Sequence, residues 1–433
     1  MAEVLEVGAS RVAVPAASIT TFDLTSGRIT VSPKLVLPFC GSGITDATNA
    51  DHARLSIGAA NGTVQGNAAF RMQKGQGTTN AHRWLRSDSA IAVIDALANT
   101  VDGYGERSAI LSNGWRLNAA DAFTAAFLAS GLIVGGTGVS TEIVIVDSAT
   151  GWTLDTERTI GTLATPDAVI AIAARADTNT STAASGAGMS FGVASRLPSS
   201  AQYGHSFFQQ HSQAQCRNVY TVRNHLLPLI STTAVTGVTT DTSYELTAWG
   251  PTGIGVTPRT AVYTSGDVIF ILLKFSNGVM GQAVSGATKT STGADPISTP
   301  GMIPHGWMLS GGLGQAVGSD YDNNDADCVW VSVGDAGGTT YLSQATETDN
   351  AGDSEGVSVS NTNIIHARTG GLVEKAIATF VSAQPGGINI TYGTASSPAR
   401  RFLGLVLGVS TASVNPAVGL AMPGGFGSMG MGM

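Results

Sequence analysis

The stretch Thr165-Pro166-Asp167-Ala168-Val169-Ile170 has two counterparts in this chain, Ser32-Pro33-Lys34-Leu35-Val36-Leu37 and Ile303-Pro304-His305-Gly306-Trp307-Met308. Each places a proline before an apolar run, and a polar loop follows. The three prolines are about 130 to 140 residues apart, which is the length of a domain and far longer than a solenoid repeat. The pattern predicts one kind of domain built three times.

Further strand-like runs recur at matching intervals. The second run of each predicted domain is aligned on a Ser-apolar-Gly core and reads Arg54-Leu55-Ser56-Ile57-Gly58, Gly188-Met189-Ser190-Phe191-Gly192 and Trp330-Val331-Ser332-Val333-Gly334. A late strand after a turn is predicted at residues 114–117, 243–246 and 387–390, and an apolar closing run at 123–134, 268–273 and 402–407. These recurrences support the threefold repeat.

The whole chain favours β-structure. Apolar runs of strand length alternate with turn residues every 8 to 12 positions or so, which is typical of antiparallel sandwiches and jelly rolls. We therefore expect an all-β protein with three tandem β-sandwich or jelly-roll-like repeats at residues 1–137, 138–276 and 277–410. Residues 411–433 form a Gly/Met-rich C-terminal arm, read either as a disordered tail or as an arm that docks on a neighbouring subunit.

Composition excludes several classes of function. Only 12% of the 433 residues are charged and the net charge is −8, so nucleic-acid binding by phosphate neutralisation is not expected. We expect no membrane insertion, because no apolar run approaches the roughly 18 residues that a spanning helix needs. The N-terminal residues do not resemble a signal peptide. Cys40, Cys216 and Cys328 fall in different predicted domains and are interpreted as reduced thiols of a protein made in a cytoplasm.

One motif points to hydrolysis. Residues 188–192 match the Gly-x-Ser-x-Gly pattern of hydrolases, in which a strand, a strained turn and a helix expose the serine. Here Val193 to Pro198 continue as strand and turn, so no helix is expected after Ser190. A structural serine is the preferred interpretation.

Other candidate sites are weaker. Asp320 to Asp327 places oxygen ligands at alternating positions, as calcium loops do, but Asp325 occupies the position where such a loop needs glycine. A solvated acidic hairpin loop is the preferred interpretation, with calcium as the alternative. The histidines lack metal-ligand spacing, and scattered tryptophans fit sandwich cores better than a sugar platform. The sequence predicts no enzyme, no cofactor and no catalytic, cofactor-binding or metal-binding residue.

The repeated segments resemble an uncharacterised family of duplicated β-domain proteins encoded by tailed bacteriophages. Segments of that family with the pattern Gly-Phe-Gln-Pro-Lys/Asp-Ala-Val and Gly-Met-Ser-Phe-Gly-Val-Ala are matched best by residues 165–169 and 188–194, and its closing strand by residues 399–408. The likeness covers most of residues 20–408, although no unit has Phe-Gln before its proline. The resemblance implies a virion structural protein and assigns no function to any residue.

We therefore expect a structural component of a tailed-phage virion, exposed on the particle and located there after synthesis in the host cytoplasm. Its partners would be copies of itself and other virion proteins, with a host-surface glycan or receptor as a further partner. A tail fibre or tail-tip position and a head decoration position both stay open. The alternative is a polysaccharide-binding or polysaccharide-degrading protein, with aromatic and acidic residues such as Trp307 and Asp320–Asp327 clustered in one unit.

Overall fold

The computed structural model describes residues 4–16, 21–43, 45, 49–74, 80–95, 100–147, 152–174, 184–209, 218–234, 237–260, 266–312, 314, 320–323, 326–348, 355–359, 363–369, 373–395 and 397–414. Within these residues the chain forms 33 strands and one short helix, α1 (Thr411–Val414). Neighbouring strands pair antiparallel throughout. The predicted all-β, antiparallel class is confirmed.

We divide the strands into three units of eleven, in chain order. The first unit contains β1 (Glu6–Val14), β2 (Thr21–Thr25), β3 (Leu35–Gly41), β4 (Asn49–Asp51), β5 (Ala53–Asn61), β6 (Gln65–Met72), β7 (Ala81–Arg86), β8 (Ile91–Ile94), β9 (Val101–Leu111), β10 (Gly114–Asp121) and β11 (Phe127–Gly135).

The second unit contains β12 (Val139–Asp147), β13 (Arg158–Ile160), β14 (Ala168–Ala173), β15 (Ala184–Ser185), β16 (Ala187–Ser195), β17 (Ala201–Gln209), β18 (Asn218–Arg223), β19 (Leu227–Ala234), β20 (Gly237–Trp249), β21 (Ile254–Pro258) and β22 (Asp267–Phe275).

The third unit contains β23 (Val279–Ala287), β24 (Gly293–Thr299), β25 (Met302–Gly312), β26 (Asp320–Asn323), β27 (Ala326–Asp335), β28 (Thr340–Thr348), β29 (Glu355–Val359), β30 (Asn363–Thr369), β31 (Val373–Gln384), β32 (Gly386–Ala395) and β33 (Arg401–Ser410).

Each unit builds one large and one small sheet. The large sheets have seven strands in the orders β1-β11-β3-β5-β6-β7-β15, β12-β22-β14-β16-β17-β18-β26 and β23-β33-β25-β27-β28-β29-β4. The small sheets have four strands in the orders β2-β10-β9-β8, β13-β21-β20-β19 and β24-β32-β31-β30. Strand for strand, the three orders correspond.

The units are not self-contained tandem sandwiches. Six strands of each large sheet come from one unit, and the seventh is the fourth strand of another unit. The sequence gives little sign of this exchange, because the exchanged strands are only two to four residues long. The domain boundaries 1–137, 138–276 and 277–410 stay a prediction, although all strands of each unit lie between them.

Two kinds of core hold the molecule together. One apolar cluster lies between the two sheets of each unit, as Leu24, Val36, Trp115 and Ile133 illustrate in the first. A larger cluster combines residues of all three large sheets, including Leu55, Phe70, Phe191, Phe207 and Val331. The large sheets therefore face a shared centre, with the small sheets on the outside. Burial of this apolar surface is the dominant favourable term in folding.

Strand register corrects the alignment of the repeats by two residues in the third unit. Gly58, Gly192 and Ser332 occupy equivalent positions in the three units. Each lies three residues before a strand residue with an equivalent partner: Asn61 pairs with Leu35, Ser195 with Ala168 and Asp335 with Gly306. The late strand predicted at 243–246 was aligned with β10, but it lies on β20, which is the counterpart of β9. The counterpart of β10 is β21.

The described part of the chain contains no helix that is long and apolar enough to cross a membrane.

Candidate functional site

The exchanged strands link the three units into a closed ring. β15 of the second unit pairs with β7 of the first, and β26 of the third pairs with β18 of the second. The ring closes where β4 of the first unit pairs with β29 of the third, with Asp51 opposite Glu355. Each exchanged strand pairs with the last strand of a neighbouring unit's large sheet and becomes the terminal strand of that sheet. The junctions between units are therefore the candidate functional region.

A matching hydrogen bond occurs at two of the three junctions. Ser195, the last residue of β16, accepts a hydrogen bond at Oγ from the backbone N–H of Ala283 in the third unit, at 2.9 Å. Asp335, the last residue of β27, accepts one at Oδ2 from the backbone N–H of Ala9 in the first unit, at 3.0 Å. Register makes Ser195 equivalent to Asp335, and Ala283 to Ala9. Both bonds are buried and satisfy a backbone donor of the first strand of the next unit.

The junction between the first and second units uses other contacts. Asn61, the counterpart of Ser195 and Asp335, instead accepts hydrogen bonds from the backbone N–H groups of Thr63 and Val64. The hydroxyl of Thr141 donates to the backbone oxygen of Lys34 at 3.2 Å. The rings of Phe70 and Phe207 lie 5.4 Å apart in the shared core and join the two units there.

Among the residues that the structure describes, an open cavity lies beside these contacts at two junctions. The cavity between the second and third units, about 310 Å³, is lined by Asp167, Arg196 and residues 275–281. The cavity between the first and second units, about 390 Å³, is lined by Lys34, residues 61–63 and residues 139–141, which are the corresponding positions. At the junction between the third and first units, the Arg28 side chain occupies the corresponding place. Its Nε donates a hydrogen bond to the backbone oxygen of Val7 and lies 3.8 Å from Asp335 Oδ1.

The carboxylate in the first of these cavities already has structural partners. Asp167 accepts a hydrogen bond from Arg196 Nε at 3.0 Å and another, at its second oxygen, from the backbone N–H of Phe275 at 2.8 Å. An acid engaged in this way fixes the end of β22 against β14. The arrangement is typical of a structural ion pair and not of a general acid or base.

The serine of the hydrolase-like motif lies inside a sheet. Ser190 is buried in the middle of β16, which continues without a break to Ser195. Its hydroxyl is 2.7 Å from the hydroxyl of Ser206 on β17. A nucleophile elbow needs a strained turn that exposes the serine oxygen, and Ser190 has neither the turn nor the exposure. The geometry therefore favours the structural interpretation of this serine.

The acidic stretch is not a simple loop. Asp320–Asn323 forms β26, whose backbone pairs with β18, and Ala326 begins β27. The predicted hairpin loop is therefore wrong for residues 320–323, because the strand of the second unit offers backbone partners that sequence alone does not reveal. Asn324 and Asp325 lie outside the described residues. The part of the chain that the structure describes holds no group of three or more His, Cys, Asp or Glu residues suited to a metal ion.

The other predicted residues are distributed as follows. Cys40 and Cys328 are buried in different units, and Cys216 is outside the described residues, as are residues 415–433 of the C-terminal arm. Trp84, Trp115, Trp307 and Trp330 are fully buried core residues, and Trp152 is also buried. Trp249 is partly exposed, and its indole N–H donates to the Ser200 hydroxyl.

Sequence reasoning missed the junction residues Ser195, Ala283, Asp335 and Ala9. A polar residue at the end of a strand usually indicates a turn, and no local signal shows that it caps a strand of the next unit. Comparison with known proteins gives no further guidance: no family model matches the chain, and no curated protein matches it.

Proposed function

We propose that this chain is a structural protein of a tailed-phage virion that acts as a single-chain counterpart of a trimer. In this proposal it occupies a threefold or quasi-threefold position of the particle, as a head decoration protein would. The observation that carries the proposal is the pairing of β4 with β29, which closes three corresponding units into a ring.

Ring closure favours a head position over a fibre. Sandwiches strung along a fibre need free ends at which the next module begins, whereas here each of the three large sheets is completed from within the same chain. A closed arrangement of three similar units offers three similar surfaces to its surroundings. Such a body fits a lattice position where three equivalent neighbours meet.

The composition supports a packing role. With 12% charged residues the chain has few groups whose desolvation would oppose close contact with other proteins. Interface cores are depleted of charged residues in the same way. The described cavity between the second and third units holds the Asp167–Arg196 ion pair, which has a structural role, so the geometry offers more to protein–protein assembly than to catalysis.

Cryo-electron microscopy of particles purified from the infecting phage tests the proposal. We expect one copy of the chain at each threefold or quasi-threefold position, with density whose three lobes differ only in detail. Antibody label on the head, seen by electron microscopy of the same particles, is the independent check. Label at the tail tip would replace the head position by host contact, and absence from intact particles would overturn the virion proposal.

A further inference from the structure

Two arginines face each other in the first unit at a place where the other units have none. Arg54 on β5 and Arg71 on β6 are directly opposite in the strand register. The corresponding pairs are Gly188 with Phe208 in the second unit and Cys328 with Thr346 in the third. The same pair of strands therefore forms without any charge at these positions. The fold itself does not require the two guanidinium groups.

The two arginines lie between the sheets of the first unit. Their neighbours Leu55 and Phe70 point into the shared central core, so Arg54 and Arg71 point to the opposite face, towards the small sheet. Arg71 is fully buried, and its guanidinium donates to the neutral oxygens of Gln73 and Asn80 at 3.2 to 3.5 Å. Arg54 is partly exposed and gives the pair access to solvent.

The charge of Arg54 has no contact partner among the described residues. Its Nε is buried without a hydrogen bond, and it forms no ion pair in this part of the structure. Asp95 and Asp102 are close enough to raise the pKa of Arg54, but burial has the larger effect and lowers it. Burial also lowers the pKa of Arg71 to about 10, so this group stays charged at neutral pH. Like charges directly opposite on neighbouring strands are destabilising, and buried charges normally have a partner.

We propose that Arg54 and Arg71 form a binding site in the first unit for a small oxyanion, a carboxylate or a phosphate group. Guanidinium groups bind both through paired N–H donors. Asp102 supplies a hydrogen-bond acceptor beside the two arginines. Its Oδ1 accepts a hydrogen bond from the backbone N–H of Thr124 at 3.1 Å, whereas its buried Oδ2 has no hydrogen-bond partner among the described residues. That oxygen is an acceptor for a hydroxyl group beside the anion. Hydroxylated acids such as uronates and glycerol phosphates have this combination.

Calorimetric titration of the full-length chain in low-salt buffer tests the site. The probes are glucuronate for the carboxylate class, glycerol phosphate for the phosphate class, and glucose and glycerol as neutral matches. We expect at least one charged probe to bind and both neutral probes to fail. The charged probe that binds identifies the class of oxyanion.

Variants separate binding from stability. We expect Arg54→Met to weaken binding of the active probe at least tenfold, and Arg54→Lys to weaken it less because the charge is kept. Arg116→Met is the matched control, since Arg116 lies in the same unit in an exposed ion pair with Asp23, and should bind like the unaltered chain. Thermal unfolding with and without the probe gives a second readout: the rise in midpoint should disappear in Arg54→Met alone. Equal binding by the unaltered chain and Arg54→Met, or no binding of either charged probe, would overturn the proposal.

Discussion

Ser195 in the second unit accepts a hydrogen bond from the backbone N–H of Ala283 in the third, and this contact has a counterpart one junction further along the ring. There Asp335 accepts the hydrogen bond of Ala9. The two acceptors differ in chemistry, a hydroxyl and a carboxylate, but they satisfy the same backbone group of the following unit. The ring is thus held by specific polar contacts in addition to its shared apolar core.

Removing the Asp335 carboxylate should destabilise the protein. In Asp335→Ala the backbone N–H of Ala9 is left buried without its acceptor, and the bond from the Gly337 backbone N–H to Asp335 Oδ1 is lost as well. An unsatisfied buried donor costs about 1–3 kcal/mol, so the free energy of unfolding should fall by at least that amount. Urea unfolding measures it. Asp23→Ala, which breaks an exposed ion pair, should change little; equal losses in the two variants would contradict this role of Asp335.

Gly192 should tolerate no side chain. A Cβ at this position would lie 1.5 Å from the backbone oxygen of Leu226 on the facing sheet segment. Gly192→Ala must therefore separate the two sheets of the second unit, and we expect a loss of about 3 kcal/mol or more. At the equivalent position Ser332 is accommodated and donates to the Ile364 oxygen at 2.7 Å.

Gly393→Ala is the matched control for this prediction, because no atom of the described residues lies within 4 Å of a Cβ at that strand position. Thermal and urea unfolding of both variants give the comparison. A Gly192→Ala protein as stable as Gly393→Ala would show that the sheets do not approach each other as closely as described.

Acid should weaken the junction between the second and third units. His205 is fully buried, its Nε2 lies 2.7 Å from the Ser310 hydroxyl across that junction, and burial lowers its pKa to about 3. An unfolded histidine titrates near 6.5, so between about pH 6.5 and 3 the unfolded state binds a proton that the folded state does not. Stability is therefore present above pH 6.5 and is lost as the pH falls, by up to about 1.4 kcal/mol per pH unit for this group.

Unfolding free energies measured from pH 7 to pH 4 test the histidine prediction. His205→Gln should show a shallower decline than the unaltered chain. The remaining slope includes His366, whose pKa burial also lowers to about 3. Identical slopes with and without His205 would contradict the prediction.

Cys40 should resist thiol reagents in the folded protein. Burial raises the pKa of its thiol to about 12, and the thiolate is the reactive form. An unfolded thiol titrates near 8.5, so the contribution of this group to stability is present below that value and is lost as the pH rises towards 12. Alkylation at pH 8 followed by peptide mass spectrometry should show slow labelling of Cys40 in buffer and rapid labelling in urea. Equal rates would show that the core around β3 is open.

Much of the fold could be predicted from the sequence, because similar prolines and apolar runs recur in each unit. Pro33 and Pro166 precede β3 and β14, and Pro304 lies near the start of the corresponding strand β25. The apolar closing runs at 268–273 and 402–407 lie on β22 and β33, and most of the run at 123–134 lies on β11. Period and turn composition are local properties, and they indicate strands reliably when the strands are long and buried.

The ring and the arginine pair could not be predicted, for physical reasons. The exchanged strands β4, β15 and β26 are too short for a periodic pattern, and Asp320 to Asn323 has the composition of a turn although its backbone pairs with β18. Arg54 follows the alternation of an exposed strand face, so its sequence position gives no sign that it faces Arg71 inside a sandwich. Only the register between strands brings such residues together.

The proposed head position is tested most directly by the number and position of copies in the virion, determined by cryo-electron microscopy without imposed threefold averaging at the site. We expect one chain at a threefold or quasi-threefold position of the head, with its three units resolved as a closed ring around that axis. Three chains arranged along a fibre, or particles that lack the chain altogether, would contradict the proposal.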